Sequence, residues 1–494
     1  MTYTSTRNSE LKINSCQCLL DGISSDGGLY VPSEFPVVDA EKLRSFAEMT
    51  YAELAAEILS LYIDLDKTYL LKACEKAYSR FDDGDPAPII KIDNRLFICE
   101  LWHGPTAAFK DLALTVFPDL LFGAQKALNN TDEILILTAT SGDTGKAALE
   151  SFRDKPGARV MVFFPGDGVS PMQRLQMTSQ LGLNVNVVAV KGNFDDTQNS
   201  VKDIFSNKTL AADLTKRGIR LTGANSINIG RLAPQIAYYF YTYVSMCESG
   251  ELAYGTKINF SVPSGNFGNV LAGWYAKRMG LPIDKLICAS NRNCVLTDFL
   301  TTGTYTSRRS FYKTSSPSMD ILVSSNVERL IFELSGRNSA LTAQRMIDLK
   351  KTGTYSLAEE ERTAIAKDFL AYSSDETVAH KALFHTFDEY GYIVDPHTAI
   401  GFSAFYQHYK ETRDKTKTVV LSTANPYKFS GAVLTALKKK PTSDEFDGIR
   451  RLHTLTALPI PKEIAALEKA PVRFTDLVTK GEALAAVKRF AFDT

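Results

Sequence analysis

The chain has 494 residues, too many for one ordinary hydrophobic core, so two or three domains are expected. Hydrophobic residues make up 44% of the chain and charged residues 23%, as in average globular proteins. Lys plus Arg and Asp plus Glu both number 56, so the overall charge does not favour nucleic acid or an anionic membrane as a partner.

Seven cysteines are scattered along the chain without the paired C-x-x-C spacing of a zinc site, and their odd number does not suit a disulfide framework. We therefore expect reduced thiols and no metal. The N-terminal residues lack the apolar segment of a secretory signal, and no run of about 18 apolar residues could span a membrane. These features predict a soluble, cytoplasmic protein with neither a membrane nor a nucleic-acid partner.

The N-terminal stretch up to residue 90 differs in pattern from the rest of the chain. It contains a turn-rich segment at 24–32 and then an apolar-periodic stretch, Tyr51–Tyr62, that predicts a helix. A proline-containing segment at 84–90 indicates where this first domain ends.

Beyond residue 130, compact runs of Val, Ile, Leu and Phe bounded by Gly, Pro, Asn or Ser predict buried parallel strands. In chain order these strands are Glu133–Leu137, Arg159–Phe164, Asn184–Val190, Lys257–Val262, Lys285–Ala289 and Thr418–Leu421. Helical patterns follow some of them, at Thr144–Arg153, Pro171–Leu181 and Asn269–Met279. The alternation predicts an α/β protein with mostly parallel sheets and flanking helices.

Two of these strands end in the same kind of glycine turn. TATSGDTG covers 138–145 and SVPSGNFGN covers 261–269, and a helix begins at once after each. Ligands bind at the carboxyl ends of strands in open α/β sheets, and helix N-termini there suit phosphate or carboxylate. One such turn alone is most simply an ordinary helix cap, whereas two of them favour a shared ligand site.

Two nucleotide interpretations of these turns are weak. GDTGK resembles part of a Walker A motif, but its glycines are too close together and alanine follows the lysine. SGNFGN is not G-x-G-x-x-G, and no acidic residue stands out about twenty positions further on.

A third motif, HGPTAAFKD at 103–111, places Lys110 after a Gly-Pro turn and ahead of an apolar stretch. These three motifs, in this order, resemble threonine synthases, which are pyridoxal-phosphate enzymes of the tryptophan-synthase-β type. Further stretches agree with the resemblance: DGGLYVP (26–32), SPMQRLQM (170–177), GNFDDTQ (192–198), ANSINIGRLAPQ (224–235) and STANPYKF (422–429). The resemblance covers roughly residues 20–430 and is greatest to the longer bacterial and fungal branch.

The resemblance implies the fold and its division into domains. It implies two twisted, mostly parallel sheet domains with flanking helices (fold type II of the pyridoxal-phosphate enzymes) and an N-terminal α+β domain. The N-terminal domain would cover 1–90, the large cofactor-binding domain 91–130 and 221–494, and a small mobile α/β domain 131–220.

The resemblance also implies that the cofactor is pyridoxal 5'-phosphate, held covalently by the amine of Lys110. Phe109 would form an apolar wall, and Asp111 would be a structural partner rather than a catalyst. Thr423 would contact the pyridine nitrogen. The cofactor phosphate would lie in a loop formed by Gly265, Asn266, Phe267, Gly268 and Asn269.

The expected substrate contacts come from three further segments and rest on the resemblance alone. They are Thr140, Ser141, Asp143 and Thr144; Asn225, Ser226, Asn228 and Arg231; and Ser318, Met319 and Asp320. Arg231 is the preferred partner of the substrate phosphate, with Lys146 as a second candidate. Asn425 stands where the family often has a histidine, so it can keep one hydrogen bond but cannot carry a proton.

The implied activity is that of a carbon–oxygen lyase, converting O-phospho-L-homoserine and water to L-threonine and phosphate in the last step of threonine biosynthesis. Within the same fold, a phospholyase that yields 2-oxobutyrate, ammonia and phosphate remains open. A cysteine synthase or serine dehydratase would lack DGGLYVP and ANSIN, and a cofactor-free binding protein would have no need of an intact FKD motif. The partner is a small molecule, and the chain is expected to be a monomer or homodimer.

Overall fold

The computed structural model describes residues 1–166 and 168–492, and at Asp83 and Asp195 only the backbone. Its strands are numbered β1 to β16 in chain order. They are Thr2–Ser5, Asn8–Asn14, Tyr30–Pro32, Ile89–Lys91, Leu96–Glu100, Glu133–Ala139, Ala158–Pro165, Val185–Val190, Ile219–Gly223, Ile258–Pro263, Ile283–Ser290, Thr304–Thr306, Thr354–Ser356, Phe369–Ser373, Thr418–Ser422 and Leu477–Val478.

The α-helices of the described residues are numbered α1 to α22 in the same way. They are Ser15–Asp21, Ala40–Ser45, Tyr51–Tyr62, Lys67–Tyr78, Asp111–Leu114, Phe117–Ala127, Asp143–Phe152, Pro171–Thr178, Phe194–Phe205, Lys208–Lys216, Ile229–Glu248, Gly268–Met279, Val295–Thr302, Val327–Leu334, Ser339–Thr352, Glu359–Asp368, Glu376–Tyr390, Pro396–Thr412, Ser430–Ala436, Glu445–Thr456, Lys462–Ala465 and Ala483–Phe492. Single 3₁₀ turns at 46–48, 82–84, 317–319, 426–429, 466–469 and 480–482 connect some of them.

The larger sheet has six strands in the order β14-β11-β10-β15-β5-β4. All neighbours are parallel except β4, which pairs antiparallel with β5 at one edge. Helices such as α11, α12 and α18 pack against it, and its strands β5, β10 and β15 are fully buried. Burial on both faces is what the continuous apolar runs in the sequence predict.

The second sheet has five parallel strands in the order β16-β8-β7-β6-β9. Four of them come from residues 133–223, but the edge strand Leu477–Val478 comes from the end of the chain. The C-terminal helix α22 also packs against α9 of this unit. The predicted division, with 221–494 in the large domain, therefore does not describe the last residues, which add to the smaller sheet.

The N-terminal unit consists of an antiparallel three-stranded sheet, in the order β2-β1-β3, and helices α1 to α4. Helix α3 begins at the capping box formed by Thr50 and Glu53, which explains why the predicted helix Tyr51–Tyr62 matches the observed one. One continuous hydrophobic core joins this unit to both sheets. The predicted α/β fold with an N-terminal α+β unit is confirmed.

The predicted strands and helices lie within a few residues of the observed ones, and the two glycine turns follow β6 and β10 as expected. The turn after β6 lies in the smaller sheet, and the turn after β10 lies in the larger one. Among the described residues, no helix is both long enough and apolar enough to cross a membrane.

Candidate active site

Lys110 lies where two loops run together in an antiparallel bridge. The amide of Phe109 donates to the carbonyl of Thr423 at 2.9 Å, and the amide of Asn425 donates to the carbonyl of Ala107 at 3.1 Å. Ala107 has a φ of 56°, a strained left-handed conformation for alanine. The bridge fixes Lys110 at the start of α5, beside the carboxyl end of β15.

Asp111 holds the turn that precedes Lys110. It is fully buried, and its carboxylate accepts hydrogen bonds from the Thr106 amide at 2.8 Å and from the Thr106 hydroxyl at 2.6 Å. Burial raises the pKa of Asp111 to about 6. A Cβ on Gly104 would meet the Asp111 Cβ at 2.5 Å, so glycine is needed there. The carboxylate is therefore committed to the local turn.

The amine of Lys110 lies in a largely buried, positively charged setting. Its Nζ is 3.4 Å from Oδ2 of Asp143 and 4.7 Å from the ring centroid of Phe109. Burial lowers the pKa of Lys110, and the cations Lys428 and Arg231 lower it further, whereas Asp143 opposes them. A free amine can therefore exist closer to neutral pH than on an exposed lysine.

A second buried amine, that of Lys428, shares the same carboxylate. Lys428 is fully buried, and its Nζ lies 2.7 Å from Oδ1 of Asp143 and 2.9 Å from the carbonyl of Thr106. Gln173 also donates to Oδ1, at 2.8 Å. Although burial opposes ionisation, Lys428 and Lys110 hold the pKa of Asp143 well below its usual range. Asp143 is thus the counter-ion of two lysines.

Lys428 and Gln173 were not among the predicted site residues. Both occur in motifs that carried the resemblance, STANPYKF and SPMQRLQM. The sequence feature that could have identified Lys428 is its position between two aromatic residues in PYKF. An aromatic run of this kind is often buried, and a charged residue within it is rarely buried unless it is paired.

In the turn after β6, the hydroxyl of Thr140 accepts from the amides of Gly142 and Gly145, at 3.0 and 2.9 Å. It therefore satisfies two amides at the start of α7, whose N-cap residue is Gly142. The hydroxyls of Ser141 and Thr144 make no hydrogen bond with the described residues. Among the predicted contacts in this turn, the Ser141 and Thr144 hydroxyls are therefore free to bind a ligand.

Lys146 is engaged elsewhere. Its Nζ lies 3.3 Å from Glu150 and donates to Gln180, and burial lowers its pKa. Because this amine already has a carboxylate partner on its own helix, we no longer assign Lys146 to the substrate phosphate.

The turn after β10 forms a cradle of backbone amides, defined here as residues 265–269. The amides of these five residues find no acceptor among the described residues, and α12 begins at Gly268. Phe267 has a left-handed φ of 61°. A Cβ on Gly265 would lie 2.7 Å from the carbonyl of Ser318, so only glycine allows this close approach. The free amides and the helix dipole favour an anion.

Asn269 adds a side-chain donor to the cradle. Its Oδ1 accepts from the hydroxyls of Tyr238 at 2.7 Å and Tyr239 at 2.9 Å, which fixes the orientation of the amide. Its Nδ2 is buried and finds no acceptor in the described part of the chain. The Oδ1 of Asn266 accepts a longer hydrogen bond, of 3.4 Å, from the hydroxyl of Ser325.

In the ANSIN segment, some polar side-chain atoms hydrogen-bond within the protein and others have no hydrogen-bond partner among the described residues. Asn228 is fully buried, donates to Leu19 and caps α11 through the Gly230 amide. Both polar atoms of Asn228 are therefore engaged, and we withdraw it from the predicted substrate contacts. Asn225, in contrast, has a buried Oδ1 without a hydrogen-bond partner among the described residues.

Arg231 and Ser226 complete that segment. Arg231 is buried, and its Nη1 donates to the carbonyl of Ala224 at 2.5 Å, whereas its Nε finds no acceptor in the described residues. Burial lowers the pKa of Arg231 to about 10. The Ser226 hydroxyl accepts from Asn326 at 3.2 Å.

The segment 318–320 approaches Asp143 at Oδ2, whereas Lys428 and Gln173 contact Oδ1. The Ser318 amide donates to Nε2 of His397 at 3.2 Å, and its hydroxyl lies 3.4 Å from Oδ2 of Asp143. The Asp320 carboxylate accepts from four groups, of Asn291, Asn293 and Thr314, and burial raises its pKa. Asp320 therefore holds its own loop, and Ser318 is the member of this segment that reaches the site.

A cavity of about 280 Å³ opens beside these groups. Its walls include Ser141 from the smaller sheet, Asn193 at the start of α9, and Phe311, Pro317 and Asp320 from the loop before α14. It gives a small molecule a way towards the turn after β6.

These features define a class of protein: residues 83–424 match the family model described as "Pyridoxal-phosphate dependent enzyme". Residues 2–78 match "Threonine synthase N terminus", and residues 398–490 match "Threonine synthase, C-terminal". The chain belongs to the threonine synthase family.

Threonine synthases from other organisms are similar to this chain over nearly its whole length. The threonine synthase of Schizosaccharomyces pombe is 35% identical, with 91% of this chain and 93% of that protein covered. The threonine synthase of Pseudomonas aeruginosa is 37% identical, with 88% and 90% covered. The crystal structure of a pyridoxal-phosphate-bound threonine synthase from Brucella melitensis is 34% identical, with a TM-score of 0.87 and both chains fully covered.

The residues present fit pyridoxal phosphate as the cofactor. The cradle offers unused amides and the unused Nδ2 of Asn269 to a phosphate. Thr423 is buried, and its hydroxyl makes no hydrogen bond with the described residues. Asn425, also buried, uses its Oδ1 to cap the turn at 426–429. The backbone of Lys110 lies beside that of Thr423, because the amide of the preceding residue, Phe109, donates to the Thr423 carbonyl.

Proposed function

We propose that this enzyme is a threonine synthase that converts O-phospho-L-homoserine and water to L-threonine and phosphate. The observation that carries the proposal is the amine of Lys110, buried beside one carboxylate and two further cations. Membership of the threonine synthase family, with matches to both its N-terminal and its C-terminal models, supports the choice of reaction.

For the cofactor, we assign covalent attachment to Lys110, the phosphate to the cradle 265–269, and the pyridine nitrogen to the Thr423 hydroxyl. A hydroxyl at that nitrogen leaves it weakly protonated, unlike a carboxylate. When bound, pyridoxal phosphate supplies an electron sink for negative charge that develops on substrate carbons.

For the substrate, the charge balance supports a dianionic ligand. Lys110, Lys428 and Arg231 are three buried cationic groups, and Asp143 is the carboxylate that the two lysines share. We assign the substrate phosphate to Arg231, whose Nε finds no acceptor among the described residues. We assign the amino-acid end to Ser141 and Thr144, and further contacts to Asn225, Ser226 and Ser318.

In the reaction, Lys110 removes the proton from Cα of the substrate and later returns one there. It can do so because its pKa is lowered and because Asp143 keeps its amine in place. A second proton leaves Cβ, the phosphate leaves Cγ, a water oxygen adds to Cβ, and Cγ receives a proton. Threonine and phosphate are then the products, and all atoms of the substrate and water are accounted for.

The smaller unit, residues 131–220 in the predicted division, carries Ser141 and Thr144, whereas Lys110 and the cradle lie beside the strands of the larger sheet. We propose that this unit moves to close the cavity around the substrate and exclude water. We also propose a cytoplasmic enzyme, because its seven cysteines are free thiols that suit a reducing compartment, and a monomer or homodimer.

The test is product analysis. Purified protein loaded with pyridoxal phosphate is mixed with O-phospho-L-homoserine, and threonine, phosphate and 2-oxobutyrate are measured. Threonine and phosphate in equal amounts are expected. Phosphate with 2-oxobutyrate and ammonia would identify a phospholyase, and the absence of phosphate release would overturn the proposed substrate.

A further inference from the structure

Arg329 is a fully buried arginine in α14, away from the groups that face Lys110. Its Nε donates to the carbonyl of Tyr30 at 2.9 Å, its Nη1 to Oδ1 of Asn326, and its Nη2 to the carbonyl of Ile227. It therefore joins the DGGLYVP segment, the ANSIN segment and the residue that precedes α14.

The charge of Arg329 has no close counter-ion. No carboxylate of the described residues lies within 4 Å of its guanidinium, and the adjacent Glu328 is paired with Arg7 at 2.8 Å. Burial lowers the pKa of Arg329. A buried cation without a paired carboxylate is costly, so a fully buried arginine bonded to neutral groups calls for a functional explanation.

Arg329 fixes the orientation of the Asn326 side chain. Because a guanidinium only donates, the amide oxygen of Asn326 must face it, and the NH₂ group must face the other way. That NH₂ group donates to the carbonyl of Asn266 at 3.0 Å and to the Ser226 hydroxyl at 3.2 Å. The backbone amide of Asn326 also donates to the Asn266 carbonyl, at 3.3 Å.

The Asn266 carbonyl belongs to the cradle backbone. Since a peptide unit is planar and trans, holding this carbonyl also sets the direction of the next amide, that of Phe267. Phe267 has a φ of 61°, a left-handed conformation that is unfavourable for a residue with a side chain. Such strain persists only where neighbouring contacts determine it, and the two bonds from Asn326 are contacts of that kind.

We propose that Arg329 is a positioning residue for the cofactor phosphate, acting through Asn326 on the 266–267 peptide of the cradle. Its buried positive charge is linked to the cradle through the Asn326 side chain. The carbonyls of Tyr30 and Ile227 hold the guanidinium in place, so the N-terminal unit contributes to cofactor binding. The inference rests on the proposed assignment of residues 265–269 to the cofactor phosphate and not on the reaction.

The test compares two probes, pyridoxal phosphate and pyridoxal, which lacks the phosphate. Each is added to the full-length protein from which the cofactor has been removed, and Kd is measured from the cofactor absorbance. For Asn326→Ala and Arg329→Met we expect the Kd for pyridoxal phosphate to rise about tenfold or more, equivalent to about 1.4 kcal/mol or more. The Kd for pyridoxal is expected to stay within about twofold of the wild-type value, because the lost contacts serve the phosphate.

Arg337→Met is the matched control. Arg337 donates to the carbonyl of Pro32 at 2.6 Å, so it also joins this region to the DGGLYVP segment, but it does not contact Asn326. Its Kd for pyridoxal phosphate is expected to stay within about twofold of the wild-type value. The double variant Asn326→Ala/Arg329→Met is expected to bind pyridoxal phosphate about as weakly as either single variant, because both act through one contact.

The inference is overturned if Asn326→Ala or a folded Arg329→Met binds pyridoxal phosphate as the wild type does, or if either variant loses both probes equally. If Arg329→Met fails to fold, Asn326→Ala alone decides. A wild-type chain that bound no pyridoxal phosphate would overturn both the cradle assignment and this inference. A wild-type chain that bound it but made no threonine would overturn the proposed reaction alone, and the Kd values of the variants would still decide the role of Arg329.

Discussion

Replacing Lys110 with alanine is expected to lower the rate of threonine formation at least about 1,000-fold, because it removes both the covalent anchor of the cofactor and the base at Cα. The protein is expected to stay folded, since Asp143 keeps its shorter contact with Lys428, at 2.7 Å. The measurement is threonine release from O-phospho-L-homoserine by the purified, cofactor-loaded protein.

Lys110→Arg is the matched control for this prediction. It keeps a cation beside Asp143, but a guanidinium neither forms the covalent bond nor gives up a proton near neutral pH. We therefore expect it to be as inactive as Lys110→Ala. Turnover by either variant within about tenfold of the wild-type rate would place the catalytic amine elsewhere.

Replacing Lys428 with methionine is expected to lower the free energy of unfolding by about 3–5 kcal/mol, because it leaves the buried Asp143 carboxylate without its closest counter-ion. Asp143 would then interact mainly with Lys110, and a cation that lowers the pKa of Lys110 would be lost. The pKa of Lys110 should therefore rise, and the acid limb of the pH–rate profile should move to higher pH.

Denaturant unfolding and the pH dependence of kcat check the two parts of this prediction. The double variant Lys428→Met/Asp143→Asn serves as the control, since it removes both charges of the pair. We expect it to be more stable than Lys428→Met. An acid limb that moved to lower pH, or a double variant less stable than Lys428→Met, would contradict the role we give to Lys428.

The sequence predicted those strands whose apolar runs are long and bounded by Gly, Pro or Ser, such as β6, β7 and β10. It did not predict β5, β9 or β14. Ile219–Gly223 and Phe369–Ser373 are short and partly polar, so their own sequence does not indicate a strand. They form strands because they pair with neighbouring strands of the sheet. The short edge strand Leu477–Val478 likewise depends on its partner β8, which lies almost 300 residues away in the chain.

The same limit applies to the site. The motifs FKD and SGNFG indicated Lys110 and the cradle as site candidates, because a short local sequence determines the turn at each of these places. They did not separate the free amide of Asn225 from the engaged amide of Asn228, which differ only in what packs against them. Lys428 and Arg329 were missed for a related reason, since burial of a charged side chain depends on the whole fold.

The central claim, that Lys110 is the amine that holds the cofactor, is tested most directly by chemical trapping. The pyridoxal-phosphate-loaded protein is reduced with borohydride and digested, and the modified lysine is identified by mass spectrometry. We expect the added mass on Lys110. The competing amine is that of Lys428, which shares the Asp143 carboxylate and lies closer to it, at 2.7 Å against 3.4 Å. Added mass on Lys428, or on any other lysine, would contradict the account.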